Sequence, residues 1–155
     1  MKLNDNGYNL IAQFEGLKLE PYYATAEEKS KGIVTIGYGN TFYPDGKKVA
    51  INDAPISKET ALEMLQHVAD NFANKVANLI KKEVNQNQFN ALCSFAYNVG
   101  LANFGSSTLL KLVNINPNDA NIAKEFLKWD KQAGKPLAGL TKRRMQESVL
   151  YFTKC

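Results

Sequence analysis

The stretch from Ser57 to Leu79 constrains the fold more than any other part of this chain. Apolar residues Ala61, Leu65, Val68, Phe72, Val76 and Leu79 recur there every three to four positions, with no Gly or Pro between them. That is the period of one long amphipathic helix, whose apolar stripe must be covered by the rest of the chain. The two flanks differ. From Leu17 to Ile51 the helical period is lost, Gly, Tyr, Thr and Pro dominate, and Tyr43-Pro-Asp-Gly46 marks a turn. Beyond residue 80 the helical period returns. A long helix between a β-rich stretch and a helical remainder is a spine joining two lobes. The expected class is therefore α+β, a small antiparallel β-lobe and a larger helical lobe. At 155 residues the chain fits one domain, or two small lobes sharing one core.

The remaining elements follow from caps and breakers. Asn4 or Asp5 can cap a first helix reaching about Phe14. Short strands are expected near residues 17–23, 33–40 and 48–51. Residues 25–31 (TAEEKSK) are polar and charged, and read as a solvated loop or an inserted helical turn. Asn85 with Gln88 resembles a capping box opening a helix through Phe89, Leu92, Phe95, Ala96 and Val99, ended by Gly100. Shorter helices are expected over 107–113 and 122–129. Residues 134–139 read as a loop, and Thr141 as the cap of a last helix to about residue 152.

Hydrophobic residues make up 45 % and charged residues 22 %, ordinary for a soluble globular protein. No apolar run is long enough to cross a bilayer. The start, Met1-Lys-Leu-Asn-Asp-Asn-Gly, has no apolar core of a secretory signal. Cys93 lies in an apolar helical stretch and reads as a core residue, and Cys155 is the last residue, so no disulfide framework is expected. His67 has no Cys or His partner at ligand spacing, so no metal is expected. The net charge of +4 and pI near 9.0 suit a polyanionic partner. The densest basic spots, Lys81-Lys82 and Lys142-Arg143-Arg144, form no nucleic-acid-binding motif, and no nucleic acid partner is expected.

Glu15 carries the chemistry. It closes the apolar-periodic stretch of Tyr8, Leu10, Ile11 and Phe14 and is followed at once by Gly16. The aromatic run Pro21-Tyr22-Tyr23 and the glycine-spaced segment Gly32-Ile-Val-Thr-Ile-Gly-Tyr-Gly-Asn-Thr41 come next. A carboxylate at a helix end beside a Gly/Thr/Tyr strand and turn is a catalytic arrangement. The helix gives rigidity, the glycines let a substrate approach the backbone, and a threonine can hold a water. Taken alone, the same glutamate would be a cap or a surface ion pair.

Four blocks together resemble the phage-type lysozymes, the endolysin muramidases. Phe14-Glu-Gly-Leu-Lys-Leu through Thr-Ile-Gly-Tyr-Gly-Asn-Thr41 resembles the family's E-G, aromatic-x-Asp, G-x-x-T-I-G-Y-G-H-T pattern. Gln88-Phe-Asn-Ala-Leu-Cys-Ser-Phe-Ala-Tyr-Asn-Val-Gly100 resembles its Q-F-D-A-L helix, and Phe104-Gly-Ser-Ser-Thr-Leu-Leu110 its F-x-x-S-T-L-L turn. Gly139-Leu-Thr-Lys-Arg-Arg-Met-Gln-Glu147 resembles its closing G-L-x-x-R-R-x-x-E helix.

The resemblance implies a lysozyme-like fold: a β-lobe over about 15–56, a connecting helix over about 57–80 and a helical lobe over about 81–155. The first helix, about 5–14, would pack near the active-site cleft. It implies hydrolysis of the β-1,4 bond between N-acetylmuramic acid and N-acetylglucosamine in bacterial peptidoglycan. Glu15 falls at the family's general acid, Thr35 at its water-positioning threonine, Arg143 at the arginine near the acid, and Asn98 at a cleft-lining polar position. No cofactor is implied. The protein would be a monomer held in the host cytoplasm until released to the wall, without stable membrane insertion.

The chain departs from the pattern at two places. The family's catalytic Asp falls on Ala24, which cannot activate water, and the interval that follows is lengthened by residues 25–31, with Glu27 and Glu28 as replacement carboxylates. Asn40 stands where the family commonly has His. The alternative reading is a protein that binds peptidoglycan on the same fold but is catalytically impaired.

Overall fold

The computed structural model describes residues 1–155. Its elements, in order, are α1 (Asp5–Phe14), β1 (Lys18–Tyr22), α2 (Ala26–Ser30), β2 (Thr35–Gly37), α3 (Lys58–Leu79), α4 (Gln86–Val99), α5 (Leu101–Ser106), α6 (Thr108–Ile115), α7 (Ile122–Leu127), β3 (Lys131–Gln132), β4 (Lys135–Pro136) and α8 (Ala138–Tyr151). The chain forms two compact units. One is Ile11–Val68; the other comprises Met1–Leu10 and Ala69–Cys155. The division falls inside α1 and α3. The 22 residues of α3 make a helix of about 33 Å. Ser57 caps it, its hydroxyl accepting from the Thr60 amide at 3.0 Å.

In the Ile11–Val68 unit, β1 and β2 pair antiparallel with Lys18 opposite Gly37 and Tyr22 opposite Thr35, and the register shifts between these pairs. Past β2 the chain doubles back. Ile36 and Asn40 exchange both backbone hydrogen bonds at 2.9 Å, and the turn between them holds Gly37 and Gly39 at φ 68° and 87°. Only glycine adopts that conformation without strain. Val34, Ile36, Val49 and Met64 form the core of this unit, with Tyr23, Tyr43 and Ile56 packed on it. The expected strand at 48–51 does not form; a single bridge joins Phe42 and Lys48. The Ala50 amide donates to the Asp53 side chain at 2.8 Å, which takes that group out of any ladder. Residues 25–31 contain a helical turn, α2, capped by Thr25.

The other unit is helical. The capping box at Asn85 and Gln88 is complete in both directions. Phe95 is the hub of its core, with ring centroids of Phe104, Phe126 and Trp129 at 6.1, 5.6 and 5.7 Å. Burying each such phenyl stabilises the fold by roughly 1.5–3 kcal/mol. Cys93 is buried and Cys155 exposed, and both are free. Gly100 ends α4 as expected, but at φ 95° it redirects the chain straight into α5, a short helix with no periodic signal of its own. Ser107 caps α6, which runs to Ile115 rather than 113, while α7 stops at Leu127 rather than 129.

The expected loop at 134–139 is partly a hairpin. Gln132 pairs with Lys135 across a two-residue turn, Ala133-Gly134, both at positive φ (52° and 80°), as the right-handed twist of a short hairpin requires. Thr141 is not a cap. The last helix starts at Ala138, and the Thr141 hydroxyl bonds Asp130 Oδ2 at 3.0 Å instead.

Candidate active site

Glu15 follows directly on the last residue of α1, and its amide still donates to Ala12 O at 3.2 Å, as a final helical turn would. The side chain is half-buried. Its carboxylate faces the turn after β2: a methyl group added at Gly39 would lie 4.0 Å from Glu15 Oε2. Nothing but hydrogen projects from Gly39 on that side. The approach to the carboxylate therefore stays open because the turn needs a glycine there.

Thr35 begins β2, opposite Tyr22, and is 5 % exposed. Asn40 closes the turn and is likewise buried. Its amide nitrogen donates to Met64 O of α3 at 3.4 Å, a weak tie between the turn and the helix. Asn40, which replaces the family's histidine, thus touches α3 through its side-chain amide.

Ala24 is exposed, one residue beyond the end of β1 and just before the α2 cap. The two glutamates of α2 differ. Glu27 lies in solvent, with its carboxylate 2.8 Å from Lys31 Nζ. Glu28 is half-buried, and its Oε2 is closed to solvent and accepts no hydrogen bond from the protein.

Asn98 and Arg143 belong to the other unit. Asn98 is exposed in the last turn of α4. Arg143, on α8, is 3 % exposed. Its Nε donates to Glu147 Oε2 at 3.2 Å and one terminal nitrogen donates to Ser94 O at 3.0 Å. Arg144 completes the cluster. Its Nε lies 2.8 Å from Glu147 Oε1 without the alignment of a hydrogen bond, and its guanidinium stacks 5.0 Å from the Phe95 ring centre. The Ser94 hydroxyl donates to Glu147 Oε2. Burial pushes the Glu147 carboxyl up, against the pull of the two guanidiniums and Ser94, and holds Arg144 down to about 10.

The sequence singles out Arg143 as a site residue, whereas Arg144 stands there only as part of a basic run and Ser94 only within the α4 motif. The spacings of three and four residues from the arginines to Glu147 were a legible sign of helical ion pairs, but their burial was not. No three His, Cys, Asp or Glu side chains gather as metal ligands would, and no helix is long and apolar enough to cross a membrane.

The family model described as phage lysozyme matches residues 12–147. This chain belongs to the phage lysozyme family. It is similar to the endolysin of Bacillus phage B103, 44 % identical over 99 % of this chain, though it spans only 55 % of that protein's length. The endolysin of Salmonella phage P22 is 35 % identical, with 99 % of both chains covered. Among solved structures, the muramidase domain of SpmX from Asticaccaulis excentricus superposes with a TM-score of 0.81 at 31 % identity, covering 99 % of each chain. The fold is that of the lysozymes, α+β.

Proposed function

We propose that this protein is a muramidase, hydrolysing the β-1,4 bond between N-acetylmuramic acid and N-acetylglucosamine in bacterial peptidoglycan. The observation that carries this reading is the half-buried Glu15 carboxylate at the end of α1, beside the open face of Gly39. Family membership and the likeness to the muramidase domain of SpmX support it.

In this mechanism Glu15 gives a proton to the glycosidic oxygen as the bond to C1 breaks, and water attacks C1 from the opposite face. The hydroxyl of Thr35, a residue 5 % exposed, orients that water. Arg143 acts as a supporting cation, held in direction by Glu147 and Ser94, and Asn98 as a polar contact for the glycan. The protein acts as a monomer, without a cofactor, and meets peptidoglycan after leaving the host cytoplasm.

Digestion of purified cell walls followed by mass spectrometry of the soluble products tests the reading. New reducing ends on N-acetylmuramic acid are expected. Release of whole stem peptides from the glycan, or sedimentation with the wall without cleavage, would replace it by an amidase or a binding protein.

A further inference from the structure

A pocket of about 250 Å³ opens within the Ile11–Val68 unit, and none of its lining residues takes part in the mechanism above. It is built from the two segments that flank the turn at Gly37 and Gly39. Residues 31–34 lead into β2, and residues 41–42 and 48–49 follow the turn. We propose that this pocket binds the carboxylate-bearing peptide that the glycan carries on its N-acetylmuramic acid. This rests on the muramidase reading and extends it from the glycan to its peptide branch.

Two kinds of side chain meet in the pocket. Val34 and Val49, 5 % and 4 % exposed, belong to the core and supply an apolar wall. Ile33 and Phe42 are 37 % and 51 % exposed, large apolar groups that the rest of the chain leaves uncovered beside the cavity. Apolar surface in a concave site gains by taking up methyl groups from water. Lys31 and Lys48 supply charge, and no Asp or Glu lines the pocket.

The backbone sets one of these cations beside the apolar wall. Phe42 and Lys48 form an antiparallel bridge, with the Tyr43 amide donating to Lys47 O at 2.9 Å and the Val49 amide to Thr41 O at 3.0 Å. These bonds bracket the pair, so Phe42 and Lys48 are a closely spaced, non-hydrogen-bonded pair whose side chains leave the same face. Lys31 is already paired with Glu27 at 2.8 Å, whereas Lys48 belongs to no ion pair.

A ligand matches this lining if it places small apolar groups a few bonds from a carboxylate. A wall peptide does so, with alanine methyls next to the carboxylates of its glutamate and of its end. A sugar backbone offers mainly hydroxyls, which a phenyl and an aliphatic wall do not satisfy. The volume lies just below the roughly 300–1,000 Å³ of sites for drug-sized ligands, which suits a short peptide segment rather than a folded partner.

The test is a titration of the full chain with the synthetic peptide L-Ala-γ-D-Glu-L-Lys-D-Ala, and with the same peptide amidated at both carboxyl groups, followed by amide NMR shifts and calorimetry. Saturable shifts at residues 31–34, 41–42 and 48–49 are expected with the free peptide, and weaker binding of the amidated one. Lys48→Gln, shown by its thermal melt to be folded, is expected to weaken the free peptide about two- to fivefold, the worth of one exposed charge pair. Lys48→Glu should weaken it about tenfold, because attraction becomes repulsion, and Lys48→Arg should bind like the parent. Phe42→Ala should weaken both peptides alike, since it removes apolar contact and no charge. Absence of a saturable shift, or a Lys48→Glu protein that binds the free peptide as tightly as the parent, overturns the proposal. Tighter binding of a glycerol phosphate oligomer than of the peptide also overturns it, in favour of a phosphate polymer. Wall digestion by the parent is read separately. Peptide binding without new reducing ends on N-acetylmuramic acid brings down the muramidase reading alone, and cleavage without peptide binding brings down the pocket assignment alone.

Discussion

Gly37 and Gly39 make a matched pair for testing whether the approach to Glu15 matters. Both sit at positive φ, 68° and 87°, so an alanine at either should cost about 1–2 kcal/mol of backbone strain. That corresponds to a fall in Tm of about 2–8 °C for a chain of this length. The surroundings of the added methyl differ. At Gly37 it meets Ala61 Cβ at 3.5 Å and Ile56 Cδ1 at 3.6 Å, ordinary contacts that add no overpacking. At Gly39 its only neighbour within reach is Glu15 Oε2 at 4.0 Å. On the proposed mechanism the methyl would occupy space that the glycosidic oxygen enters. Displacing a reacting group by an ångström costs up to about 100-fold, so we predict a loss of about 10- to 100-fold in kcat/KM for Gly39→Ala. Gly37→Ala should stay within roughly threefold, since its methyl touches only packing atoms. The assay is wall-clearing rate at 25 °C, scaled by the folded fraction from urea titration. Equal activity of the two variants at equal stability would refute the reasoning.

Other perturbations probe separate parts of the molecule. Thr35→Val keeps the bulk of a buried side chain but removes its hydroxyl, and should lower kcat about 10- to 1,000-fold. Thr35→Ser should retain most activity, and a Val variant as active as the parent would reduce Thr35 to packing. Gly7→Ala should destabilise although alanine favours helices by up to about 1 kcal/mol. The new Cβ would stand 2.6 Å from Leu3 Cδ2 and 2.7 Å from Asn90 Oδ1. Asn90 is fully buried and holds Asn4 at 2.7 Å and Gln86 at 2.9 Å, so overpacking should cost about 1–3 kcal/mol; a rise in Tm would contradict this. Tyr8 donates to Asp70 and Tyr43 to Asp53, and burial followed by these carboxylates pushes both phenols from 10 to about 12. Because the folded state holds these protons more tightly, the stabilisation is complete below pH 10 and lost as pH rises from 10 to about 12. Melts across that range should fall less steeply for the Tyr8→Phe/Tyr43→Phe double variant, and an unchanged slope would sink the assignment.

Periodicity and caps made the helical frame legible. The stripe from Ala61 to Leu79, the Ser57 cap and the Asn85–Gln88 box are local patterns whose physics lies within a few residues of chain. Elements set by distant or left-handed geometry were less so. The hairpin of β3 and β4 depends on Ala133 accepting φ 52°, which its residue type does not announce. Thr141 has the chemistry of a cap, yet Asp130 claims its hydroxyl. The strand expected at 48–51 had the right composition, but Asp53 diverts the Ala50 amide. At the candidate site, motif spacing is what singles out Glu15 and Thr35. The contrast between Glu27 and Glu28 is not legible: two adjacent glutamates look alike in sequence, and only the packing of α2 turns one outward and one inward.

The most direct measurement is the rate at which purified cell walls are cleared by the parent and by Glu15→Gln, with both proteins shown to melt alike. The amide keeps the shape of the carboxyl but has no proton to give to the glycosidic oxygen. A loss of about 10²- to 10⁴-fold or more is predicted, the contribution expected of a general acid. Near-parental clearing by a folded Glu15→Gln protein would contradict the assignment of Glu15 and with it the proposed mechanism.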